Sequence, residues 1–197
     1  MNTISDQELK ELFDSLHYMN MKELRTFCKA HNIPYVEKKA ALIEKIMHFV
    51  KTGIILSIKE FPANIFAKKG TLYPLEPNTK ILNGSFKNDL KTRNFFKTLI
   101  GNHFHYTAFG IDWIEERWFA RNPPTYQEFA TMWQREYERR KKTKAQPKKE
   151  WALLNFMQRY QEQFPNASKQ EVMREWKKER EKQVKHAQEL LKKVIQQ

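Results

Sequence analysis

Apolar positions along this chain recur mostly at spacings of three and four, the period of helices that bury one face. Leu9, Leu12, Phe13 and Leu16 form the first stripe, and Ser5-Asp6-Gln7-Glu8 before it pairs a capping serine with a glutamate three residues on. Asn20 with Glu23 repeats that start signal ahead of Leu24, Phe27 and Cys28. Pro34 prevents simple continuation. Lys38 and Lys39 open a third stripe of Leu42, Ile43, Ile46, Phe49 and Val50, which Gly53 stops.

From Ile54 the period changes. Ile54-Ile55-Leu56-Ser57-Ile58 is β-branched enough for a strand, and Thr79–Leu82 predicts a second, among Pro62, Gly70, Pro74 and Pro77. Helical spacing returns with Phe86, Leu90, Phe95, Phe96, Leu99 and Ile100, closed by Gly101, and again with Trp113, Ile114, Trp118 and Phe119 before Asn122-Pro123-Pro124. Thr125 and Glu128 form another capping box, leading to Phe129, Ala130, Trp133 and Tyr137. Leu153, Phe156, Met157, Tyr160 and Phe164 follow, then a Pro165-Asn166 turn and a helix capped by Ser168 that bears Met173 and Trp176. That last helix turns polar from Lys177 to Gln183 and regains Val184, Ala187, Leu191, Val194 and Ile195. A stripe that lapses and resumes predicts a helix projecting from the body, whose end docks back, pairs with another copy or binds a partner. Thr125/Glu128/Trp133 and Ser168/Glu171/Trp176 keep the same offsets 43 residues apart, so duplication of a helix pair and convergence on good helix starts both remain open.

The pattern therefore predicts a mainly α chain. Residues 1–53 form a three-helix module, 54–85 a connector with short strands, 86–146 a helical region, and 147–197 a helix pair ending in a long basic helix; the last two make two similar helix pairs.

Residues 16–50 resemble the SAP motif, the helix–turn–helix of scaffold-attachment proteins. Leu24-Arg25, Phe27-Cys28-Lys29, Ile33-Pro34, Lys38-Lys39 and Leu42-Ile43-Glu44-Lys45-Ile46 carry the resemblance. Asn32 replaces a turn glycine, which asparagine can do because it tolerates a left-handed backbone. Glu37 replaces a second glycine beside the lysines, where a carboxylate would repel phosphate. The resemblance implies binding to duplex DNA with an A·T-rich preference. Residues 79–137 also resemble an uncharacterised domain that accompanies SAP-like motifs in bacterial proteins. Thr79-Lys80-Ile81, Arg93-Asn94-Phe95-Phe96, the run from Ile100 to Tyr106, Pro124-Thr125 and Trp133 carry it, and it implies no reaction.

Charge supports a polyanionic partner: 36 lysines and arginines face 23 carboxylates, for a net +13 over 197 residues. It is uneven, since residues 1–53 hold eight basic and seven acidic groups, while 148–197 hold twelve and seven. The expected phosphate contacts are Arg25, Lys29, Lys38, Lys39 and Lys45 around the turn, and Arg139, Arg140, Lys141 and Lys142 in a basic run reaching Lys149. That run reads equally as a solvated linker. The rival function is an adaptor whose SAP-like fold and last helix bind an acidic protein or a second copy.

Signs of catalysis are missing from the pattern. His103 and His105 have strand-like metal spacing but no cysteine or carboxylate at ligand distance in sequence, and Cys28 lies on an apolar stripe without a histidine partner. No glycine-rich phosphate loop or paired-carboxylate signature appears, so a non-enzymatic protein with no cofactor and no metal is expected. Trp113, Trp133, Trp151 and Trp176 fall on apolar stripes and read as core, whereas Trp118, beside Arg117 and Arg121, could lie near a basic surface. A lone cysteine and an N-terminus without a signal-type apolar stretch predict a cytoplasmic location. The most apolar window, 46–58, is broken by His48, Lys51 and Gly53, so no membrane span is expected.

Overall fold

The computed structural model describes residues 4–58, 60–143 and 147–195. Lys144 of the expected basic run lies outside them. The architecture is mainly α: α1 (Asp6–Leu16), α2 (Met21–Ala30), α3 (Lys39–Thr52), α4 (Leu90–Ile100), α5 (Ala108–Phe119), α6 (Tyr126–Lys142), α7 (Ala152–Gln163) and α8 (Lys169–Ile195). The chain divides into two compact units, one of Met1–Ile58 with Gln146–Gln197, the other of Lys59–Ala145.

In the first unit the capping boxes close as expected. Ser5 and Glu8 exchange hydrogen bonds at the start of α1, and Asn20 and Glu23 do so at α2. Asn32 adopts φ 57° and Gly53 φ 70°, the left-handed conformations that turn the chain after α2 and end α3. Leu12, Leu16, Leu24, Cys28, Leu42, Ile43 and Ile46 are buried together, joined by Val184, Ala187, Leu190 and Leu191 of α8. The resumed stripe of the last helix is therefore not a projection. It lies against α1 and supplies the core that three short helices lack. Polar bonds follow the same seam: Lys193 to Glu8 at 2.5 Å, His186 to Glu11 at 3.2 Å, Ser15 Oγ to Gln183 at 2.8 Å, and Arg180 to both Glu23 oxygens at 2.6 Å. The module expected at 1–53 thus takes part of its core from the end of the chain. The two expected helix pairs do not form one region, since α5 and α6 belong to one unit and α7 and α8 to the other.

The second unit is built on Phe96 and Phe129, with Ile65, Ile81, Ile100, Phe104, Ile114, Trp118, Tyr126 and Trp133 around them. Gly110 lets α5 approach α6, because a Cβ there would stand 3.0 Å from the Phe129 ring. Thr125 and Glu128 complete the capping box at α6.

The strands expected in the connector do not form. Among the described residues only two isolated bridges occur, Phe66 with Asn83 and Lys80 with Thr125. Ile81 is buried, and its amide donates to the Pro124 carbonyl at 2.7 Å, but Pro123 and Pro124 carry no N–H to extend a ladder. Ile54, Ile55 and Ile58 are exposed, and the Ile54 amide donates to the Thr52 hydroxyl at 3.1 Å rather than to a neighbouring strand.

Candidate nucleic-acid interface

The nine expected phosphate contacts separate by burial. Arg25 and Lys29 are exposed one turn apart on α2, and Lys38 is exposed at the N-cap of α3, a helix that begins without a side-chain cap. Lys45 is instead buried, 5% exposed, and paired with Glu37. Lys39 is half-buried, with its Nζ donating to the His17 carbonyl at 2.5 Å, and burial lowers its pKa. Neither Lys39 nor Lys45 is placed to meet a phosphate as expected, because each completes a polar contact inside the first unit. Helical period explains this, since Lys45 falls between Leu42 and Ile46 on the core stripe of α3. The Lys45 pair also occupies Glu37, the carboxylate expected to oppose phosphate binding at this corner.

The remaining four contacts form the last turn of α6. Arg139 and Arg140 both hold Glu136, with nitrogen–oxygen distances of 2.7 Å, and Lys141 holds Glu138 at 2.7 Å. These bonds, the one from Arg139 foremost, bring the Glu136 carboxyl down to about 2, so it stays ionised. Arg139, Arg140, Lys141 and Lys142 are all exposed. As a group they also oppose the negative end of the α6 dipole.

Beside this turn lies a cavity of about 250 Å³ lined by His105, Thr107, Phe109, Trp133, Glu136, Tyr137, Arg140 and Lys141. Trp133 and Tyr137 stack, with ring centres 5.1 Å apart and planes 13° from parallel. Arg140 lies over Phe109 at 5.4 Å and Lys141 over Tyr137 at 4.6 Å. Trp133 is buried in the core and Tyr137 packs against it, as their stripe predicts, but the stripe does not predict the cavity beside them. The available signal was the spacing of basic side chains three and four residues after Tyr137, on the same helical face.

Other expected sites resolve as packing. Trp118 is buried, and its Nε1 donates to the Ile81 carbonyl at 2.7 Å, so it does not face a basic surface. Trp151, expected in the core, is 40% exposed at the N-cap of α7. Cys28 is buried, and desolvation pushes its thiol up to about 11. His103 packs at a tilt against Tyr137, ring centres 4.7 Å apart, and no group of three potential metal ligands occurs among the described residues. No helix among them is long and apolar enough to cross a membrane.

Two further cavities line the first unit, of about 460 and 640 Å³, and His17 and Tyr18 border both. His17 is 6% exposed, with neither ring nitrogen bonded. Burial first, then the charges of Lys149 and Lys39, depress its pKa, against opposing effects of Glu150 and Asp14. No protein family, curated protein or solved structure matches this chain.

Proposed function

We propose that this chain is a non-enzymatic nucleic-acid-binding protein that holds DNA phosphates on two exposed basic surfaces. Arg25, Lys29 and Lys38 form one around the α2–α3 turn, and Arg139, Arg140, Lys141 and Lys142 form the other at the end of α6. The observation that carries the reading is the disposition of the carboxylates. Glu37 turns onto Lys45, and Glu136 is held by arginines, so neither presents bare negative charge beside these cations. The excess of basic residues supplies the long-range attraction.

Affinity for duplex, single-stranded and RNA oligomers should fall steeply with added salt. Arg25→Glu with Lys29→Glu and Lys38→Glu should weaken duplex binding at least tenfold. Absence of binding to all three oligomers at low salt would overturn the reading.

An adaptor function has one observation of its own. α7 fully buries only Ala152, and Trp151, Leu154 and Phe164 on or beside it are exposed. Such a helix could seat a protein partner, whereas the α8 stripe proposed for self-association is already spent on α1. Leu154→Ser with Phe164→Ser would abolish partner capture while leaving nucleic-acid affinity unchanged.

A further inference from the structure

The cavity at the end of α6 has features that phosphate binding alone does not require. Its walls are three aromatic rings, Phe109, Trp133 and Tyr137, with His105 edge-on to Trp133 at 5.6 Å. At about 250 Å³ it falls below the roughly 300 Å³ at which pockets for drug-sized ligands begin. It therefore suits one planar ring system. Its rim is cationic, from Arg140 and Lys141, with Arg139 and Lys142 on the same helical turn.

Three candidate occupants differ in charge. A quaternary ammonium would meet rings whose faces already carry Arg140 and Lys141, and like charge repels it. A bare anion would leave the aromatic walls without a partner. A neutral planar heterocycle attached to phosphates satisfies both conditions: its uncharged ring fills the apolar space between Phe109 and Tyr137 beside the Arg140 guanidinium, while its phosphates stay at the basic rim. Glu136 already accepts from Arg139 and Arg140, yet a carboxylate offers about four acceptor positions. One remains for an exocyclic amine.

We propose that this cavity receives a single unstacked nucleobase, with the flanking phosphates on Arg139, Arg140, Lys141 and Lys142 and an exocyclic amino group donating to Glu136. The inference rests on the nucleic-acid reading above and adds to it a base-holding site. Bases carrying an amine, cytosine, adenine and guanine, should be preferred over thymine and uracil. A paired duplex interior cannot enter, so single strands should gain affinity that duplexes do not.

The test uses the full chain. Tyr137→Leu and Phe109→Leu keep apolar bulk at half-buried positions, and urea midpoints verify that each variant is folded. Each should cost about tenfold in single-strand affinity, within the usual range for one base–aromatic contact, and leave duplex affinity unchanged. Cytidine monophosphate should shift the amide resonances of Thr107, Glu136 and Tyr137. Ribose 5-phosphate and inorganic phosphate should not.

Unchanged single-strand affinity in both folded variants would overturn the site while leaving phosphate binding intact. Equal competition by ribose 5-phosphate, or displacement of cytidine monophosphate by tetramethylammonium, would also overturn it. Nucleotide shifts that vanish in Tyr137→Leu, in a chain that binds no polymer, would support the site and sink the broader DNA function instead.

Discussion

His17 and Lys45 show how single side chains changed role once they were packed. His17 is buried edge-on to Phe13 at 4.9 Å, with both nitrogens unbonded. Its pKa is lowered in the fold, so the unfolded chain takes up a proton first, near the ordinary value of 6.5. Stability should therefore hold above that pH and fall as pH drops through it, levelling off only below the depressed folded value. Urea midpoints at neutral and mildly acidic pH should show this loss, and His17→Leu should flatten it. The same change should raise stability at neutral pH by about 1 kcal/mol, because an apolar side chain leaves no buried polar atom unpaired. Lys45 is the opposite case. Lys45→Met strands Glu37 and should cost about 3 kcal/mol, most of it recovered by adding Glu37→Gln. Chemical denaturation of the two variants checks this. It also separates a folding role from a DNA-contacting one, since the double variant should bind oligomers as the parent does.

Among the elements, α8 adds to the core of its unit from far along the chain. Leu190 and Leu191 are buried in the core that α1, α2 and α3 share, so Leu191→Ala should destabilise that unit by about 2–5 kcal/mol. A fragment of residues 1–53 should lack cooperative unfolding in calorimetry, and a peptide of 169–195 added in trans should restore it. A cooperative transition in the fragment alone would show that the three helices suffice. α6 has a different division of labour. Its first turns bury Phe129, Ala130 and Trp133, while its last turn exposes four basic side chains. Packing therefore orients the cationic end without using it.

For the whole molecule, the deciding quantity is how many of the 36 basic groups meet phosphates at once. Each contact contributes roughly 0.9 to the slope of log affinity against log salt on duplex DNA. Reversing Arg25, Lys29 and Lys38 should therefore lower that slope by up to about 3, and Lys45→Met with Glu37→Gln should leave it in place. Fluorescence anisotropy across a salt series measures both. The unit of Lys59–Ala145 holds sixteen basic and nine acidic residues in its sequence, so a substantial share of the slope should survive the first set of reversals. A slope that vanished with them would confine binding to the α2–α3 corner.

Helix positions and starts were legible in the chain because they depend on neighbours: Ser5 with Glu8, Asn20 with Glu23 and Thr125 with Glu128 each cap within four residues. The mainly α class, the turn at Asn32 and the stop at Gly53 follow from the same local physics. Tertiary structure alone decided that α8 returns to α1, because a resumed apolar stripe does not name its partner. It also decided that residues 54–58 find no strand to pair with, that Lys39 and Lys45 face inward while Arg25 and Lys29 do not, and that Phe109 meets Trp133 and Tyr137 around a cavity. Those outcomes depend on contacts between residues far apart in sequence, and such contacts settle which side of an amphipathic helix water reaches.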